Sequence, residues 1–200
     1  MACNIYLFFV KGGWLMAIQH WMAWEGGVDL VAMTQPGLTQ PNVIVHVARK
    51  VHTPLGSAAS GMVFFQPDPN AAPLALGFIS TDPNGVGRYF GPKIFAGTPF
   101  EHAPVLLADI HIQQVQADTV TAIVTIGDLV IKTTLSRLGA LELVNRAPAA
   151  MPPFAQQGLE AVAGKASLNV NGQEIAIIVP PTGISGGPAA VWAPAGIYAR

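Results

Sequence analysis

From residue 43 to residue 51 the chain alternates, with Val43, Val45, Val47 and Val51 on one face and Ile44, His46, Ala48 and Lys50 on the other. A period of two is the signature of a strand with one face turned to a core. Residues 62–66, 74–80 and 88–95 read as further short strands. They are punctuated by the small-residue stretch from Gly56 to Gly61 and by Asp82-Pro83-Asn84-Gly85, which carries type I turn preferences. From residue 105 to residue 138 three β-branched runs are separated by Ala117-Asp118 and Gly127-Asp128, which predicts a three-stranded antiparallel meander. Asn171-Gly172 supplies the two positive φ angles of a type I′ turn, so residues 167–179 form a hairpin with Leu168 opposite Ile175.

Other stretches have a different pattern. Trp14, Ile18, Trp21 and Trp24 fall at helical spacing, and residues 154–162 can form a short helix with Pro153 near its first turn. Residues 181–200 are rich in Pro and Gly yet carry Val191, Trp192, Ile197 and Tyr198, too apolar for a disordered linker. The expected fold is all-β: an antiparallel sandwich or flattened barrel of about eight to ten strands with at most one or two short helices. It spans residues 38–180, between an apolar Trp-rich segment (1–37) and a Pro/Gly-rich tail (181–200) that lies over the domain or a neighbouring subunit.

Composition changes what this surface should do. Charged residues make up 10% of the chain and the mean hydropathy is +0.44, whereas soluble domains carry roughly 25% charge. A surface so poor in charge exposes apolar groups, and contiguous apolar patches mark binding surfaces. A second copy or another protein is the expected partner, held through Trp14, Trp21, Trp24, Trp192 and Tyr198, since interface cores favour aromatics over charges. Net charge is −1 without a basic stripe, which argues against nucleic acid. The apolar run before residue 24 is divided by Lys11-Gly12-Gly13, too short on either side for a spanning helix and poorly placed for a signal peptide. Residues 14–24 could rest on a membrane surface, but the polar-face lysines of an interfacial helix are missing. Met16 or Met22 is an alternative start to Met1, and the single Cys3 excludes an internal disulfide, leaving the cytoplasm as the default compartment.

Candidate chemistry is sparse. Asp109 and His111 lie two apart and share a strand face with Gln113, a geometry that suits a general base or a metal but equally the solvent face of an antiparallel strand. Glu101, His102, Arg88 and Tyr89 flank a Pro/Gly-rich stretch and form the best polar cluster for a pocket. His46 and His52 are too far apart along one strand to bind a single metal, and turn chemistry accounts for Asp68, Asn70, Asp82 and Asn84 without calcium. Gly183-Ile184-Ser185-Gly186-Gly187 satisfies a nucleophile-elbow pattern, but no histidine follows it and Gly-Gly-Pro stands where a helix should begin. No cofactor or metal is implied. The leading expectation is a non-enzymatic structural or interaction domain that self-associates. A barrel for a small apolar ligand, or a barrel-mouth enzyme using Asp109 and His111 with Glu101, His102 or Arg88, are the alternatives.

Overall fold

The computed structural model describes residues 20–98, 100–148 and 153–200, with residues 90 and 92–94 as backbone. The elements are β1 (Trp21–Ala32), β2 (Val43–Thr53), β3 (Gly56–Phe65), β4 (Ala75–Ser80), α1 (Val86–Ile94), β5 (Val105–Leu107), β6 (Asp109–Gln116) and β7 (Thr119–Ile126). They continue with β8 (Leu129–Leu138), β9 (Glu142–Arg146), β10 (Ala155–Val170), β11 (Gln173–Ile175) and β12 (Ala190–Ala199). The fold is all-β, one mixed sheet ordered β5-β4-β3-β2-β1-β12-β10-β8-β7-β6, with β9 and β11 also paired to β10. Every pairing is antiparallel except β4 with β5, which the α1 crossover makes parallel. The two end strands, β5 and β6, are consecutive in the chain and joined by Ala108, so the sheet curls into a half-barrel.

Curling gives the sheet two differently buried faces. The inner face collects Val28, Leu30, Val43, Val45, Val63, Ile79, Ile110, Val120, Val124, Ile131, Leu135 and Leu168 into one core. Each such side chain contributes about 1.5–3 kcal/mol when fully withdrawn from water. A second cluster, with Met22, Trp24, Ala48, Val51, Met62, Phe78, Val86 and Tyr198, lies on the outer face under α1 and neighbouring loops. The alternation on β2 therefore breaks: Val47 is inside but Val51 is outside. The register slips by one residue between Ala48 and Val51, opposite Gly26 of β1 at φ +65°, and an irregularity of that kind turns later side chains to the other face.

The predicted meander and Asn-Gly hairpin are present, with β6, β7 and β8 in sequence and Leu168 opposite Ile175. Four expectations are corrected. Of the residues 88–95 expected as a strand, 88–94 are helical, because the Asp82 carboxylate accepts the N–H groups of Gly85 (3.0 Å) and Val86 (3.3 Å) and so starts α1. Residues 154–162 enter β10, and the described part of the expected helix at 14–24 is the start of β1; Trp14 lies outside the described residues. The tail is no overlay, since β12 sits between β1 and β10 in the middle of the sheet. Hence 38 and 180 are not the limits of the folded unit. Among the described residues no helix is long and apolar enough to cross a membrane.

Candidate functional site

The polar residues picked out by sequence are taken one by one, each with the partners it has among the described residues. On β6, Asp109, His111 and Gln113 are exposed while Ile110 and Ile112 enter the core, which is the solvent-face arrangement. Arg88 and His102 are exposed, and Glu101 accepts the Gly97 N–H (2.8 Å) within its own loop. The Tyr89 hydroxyl reaches the Trp21 N–H at 3.4 Å. No hydrogen bond or ion pair among the described residues joins Asp109 or His111 to Glu101, His102 or Arg88. Among the described residues no group of three His, Cys, Asp or Glu side chains could hold a metal ion.

A different polar cluster forms on the outer face of β1, β2, β9, β10 and β12. Antiparallel pairing sets Asp29 directly opposite His46, and their side chains meet at His46 Nδ1. Burial pulls the His46 pKa down, but the charge and hydrogen bond of Asp29 outweigh it and leave the imidazole above 6.5. Gln156 lies opposite both Tyr198 on β12 and Arg146 on β9. Arg146 donates to Glu160 through Nη1 (2.6 Å) and Nη2 (2.7 Å), a bidentate geometry, and through Nη1 to Gln156 Oε1 (3.0 Å). Gln156 Nε2 donates back to Glu160 at 3.0 Å. The Glu160 hydrogen bonds raise the Arg146 pKa against the opposing effect of burial. Burial, with Asp29 and Glu160 nearby, also drives the Tyr198 hydroxyl up and keeps it neutral.

Three glycines make this packing possible. A Cβ at Gly196 would lie 2.1 Å from the Trp24 ring, so the indole crosses β12 towards Gly158 on β10 and meets Tyr198 at a centroid distance of 4.9 Å. A Cβ at Gly187 would fall 2.7 Å from Arg146 Nη2, so this glycine lets the 182–188 hairpin close over the guanidinium. Beneath the hairpin is a cavity of about 40 Å³ lined by Asp29, His46, Arg146, Glu160, Ser185 and Tyr198, among others. That volume has room for one or a few waters, and a second cavity near Met22 and Trp24 is smaller, about 20 Å³. Small-molecule sites run to about 300–1,000 Å³.

The opposite face of this region is apolar and open. Leu143 on β9 is 81% exposed and pairs with Leu159 (38%), while Ile197 (38%) sits diagonally across on β12 and Leu141 (53%) precedes β9. β9 pairs with β10 alone and so has one unpaired edge among the described residues. Of the residues expected at an interface, Trp24 and Tyr198 are core, and Trp21 and Trp192 are half-buried. The comparisons with known proteins find no matching family model, curated protein or solved structure.

Proposed function

We propose that this chain is a structural domain that assembles with a second copy of itself through the free edge of β9. The observation that carries this reading is Leu143, a leucine 81% exposed on a strand whose second edge has no partner among the described residues. Such an edge is a template for strand addition unless it is blocked by Pro, Lys or a bulge, and Glu142-Leu143-Val144-Asn145-Arg146 has none of these. Two copies of β9 can pair antiparallel about Val144, which sets Leu143 of each opposite Asn145 of the other. Stable interfaces bury about 1,200–2,000 Å², so the edge must act together with the apolar band of Leu141, Leu143, Leu159 and Ile197.

Sedimentation velocity over a concentration series tests this. The chain should sediment as a dimer at about 100 μM, where an interface with Kd near 1 μM leaves little monomer, and Leu143→Glu should sediment as a folded monomer. A wild-type chain that stays monomeric across the series refutes the proposal.

A further inference from the structure

We propose that Ser57, His52 and Glu25 form a surface nucleophile site that hydrolyses carboxylic esters with a phenol-like leaving group. The site lies away from β9 and stands or falls independently of assembly through that edge. The His52 imidazole is hydrogen-bonded at both nitrogens, Nδ1 to Ser57 Oγ at 2.7 Å and Nε2 to Glu25 Oε1 at 2.9 Å. A hydroxyl and a base within about 2.6–3.2 Å of one another, the base oriented by a third group, is the arrangement that activates a serine. Such triads are defined by geometry and role, and acid, base and nucleophile occur in several unrelated chain orders.

The sheet sets each part in place. Ser57 pairs directly with His52 across the β2–β3 hairpin, and Ala23 of β1 pairs with His52 on its other side. Glu25, two residues along β1, opposes Lys50 and reaches His52 diagonally, within the span of a long side chain. The turn that holds the pair is short and braced from within. Leu55 N–H donates to Thr53 Oγ1 (3.1 Å), Thr53 Oγ1 donates to the Gly56 carbonyl (3.3 Å), and Gly56 takes φ +130°, which a glycine adopts at little cost. Val51 and Ala58, the preceding pair, belong to the outer cluster, so His52 and Ser57 point to the inner side of the sheet. Ser57 and Glu25 are exposed and His52 is half-buried, so an ester can reach the hydroxyl.

The partners determine the tautomer. A carboxylate only accepts hydrogen bonds, so the ring proton sits on Nε2 and the neutral imidazole presents a lone pair at Nδ1. Ser57 therefore donates to Nδ1, the nitrogen that takes its proton. The reaction balances with water as the one co-reactant. Ser57 Oγ forms a bond to the ester carbonyl carbon as its proton passes to His52 Nδ1. The tetrahedral adduct then breaks its bond to the phenolic oxygen, which leaves as the phenol with that proton. Water, deprotonated by His52 in turn, attacks the acyl-serine; the bond from carbonyl carbon to Ser57 Oγ breaks, and the acid and the free hydroxyl are released. Glu25 acts through His52 and is a positioning residue. Because Ser57 stands on the open surface, an ester is selected by the reactivity of its carbonyl, and a good leaving group defines the substrate class.

The test is covalent labelling of the full chain with a fluorophosphonate and with p-nitrophenyl acetate, read by intact mass and peptide mapping. The adduct should map to Ser57 and be absent in Ser57→Ala. His52→Gln should label about 10²–10⁴-fold more slowly, the usual contribution of a positioned base. Glu25→Gln should slow labelling about 10–100-fold, the range of a hydrogen bond to a charged group. In a His52→Gln background the same change should have no effect, because Glu25 works through the imidazole. An equal effect in both backgrounds would overturn the role of Glu25. A wild-type chain that is folded by tryptophan fluorescence yet carries no adduct on Ser57, or His52→Gln labelling at the wild-type rate, overturns the assignment.

Discussion

Replacing Arg146 by Met isolates the energetics of the outer polar cluster. The guanidinium supplies three hydrogen bonds, two to Glu160 and one to Gln156, and the Glu160 side chain is 9% exposed. Met keeps much of the volume but strands a carboxylate that water can scarcely reach. Breaking a buried pair from one side costs about 3–5 kcal/mol. For a chain of this length each kcal/mol lowers Tm by about 2–4 °C, so the loss should be about 6–20 °C. The triple variant Arg146→Met, Gln156→Leu, Glu160→Leu leaves no charge behind and should recover most of that loss, because an apolar replacement of a buried ionic group is often neutral or better. Urea denaturation followed by tryptophan fluorescence gives both values. A cost below about 1 kcal/mol for Arg146→Met would show that water screens the pair as it does at a surface, and the reasoning would fail.

Three further outcomes follow from buried positions. Thr133 is fully buried with a hydroxyl that has no partner among the described residues, so Thr133→Val should stabilise by about 1 kcal/mol in urea titrations. Gly61→Ala would set a Cβ 2.1 Å from the His46 carbonyl oxygen and should cost at least about 1–3 kcal/mol, whereas Gly139→Ala meets only an ordinary contact and should cost little. The raised His46 pKa makes its contribution to stability full below about pH 6.5, its unfolded value, and lost as pH rises through the folded value. The stability gap between wild type and His46→Gln should therefore narrow with rising pH, and Asp29→Asn should abolish that dependence, as read from urea midpoints across the pH range.

What was legible in the sequence is what local chemistry determines. Asn171-Gly172 and the β-branched runs of β7 and β8 determine their own pairing, and they fold as predicted. The ends were misjudged because their strand character comes from neighbours. Gly158 weakens a helix or a strand when viewed alone, but in the sheet it lies beside the Trp24 indole that crosses Gly196. Trp21 and Trp24 have a helical spacing that β1 overrides through pairing on both sides with β2 and β12. The site was missed for a related reason. Asp29 and His46 are seventeen positions apart and meet only through the β1–β2 register, and Arg146 reaches Glu160 only because β9 pairs with β10. An isolated Asp within an apolar strand, Gly27-Val28-Asp29-Leu30-Val31, was the available signal, since a charge there needs a partner.

Hydrogen exchange of the β9 amides at two protein concentrations tests the assembly reading most directly. The amides of residues 142–146 that face away from β10 should exchange rapidly in dilute solution and become protected as concentration rises, while those of β12, paired on both sides, stay protected throughout. Exchange in β9 that is the same at both concentrations would contradict it.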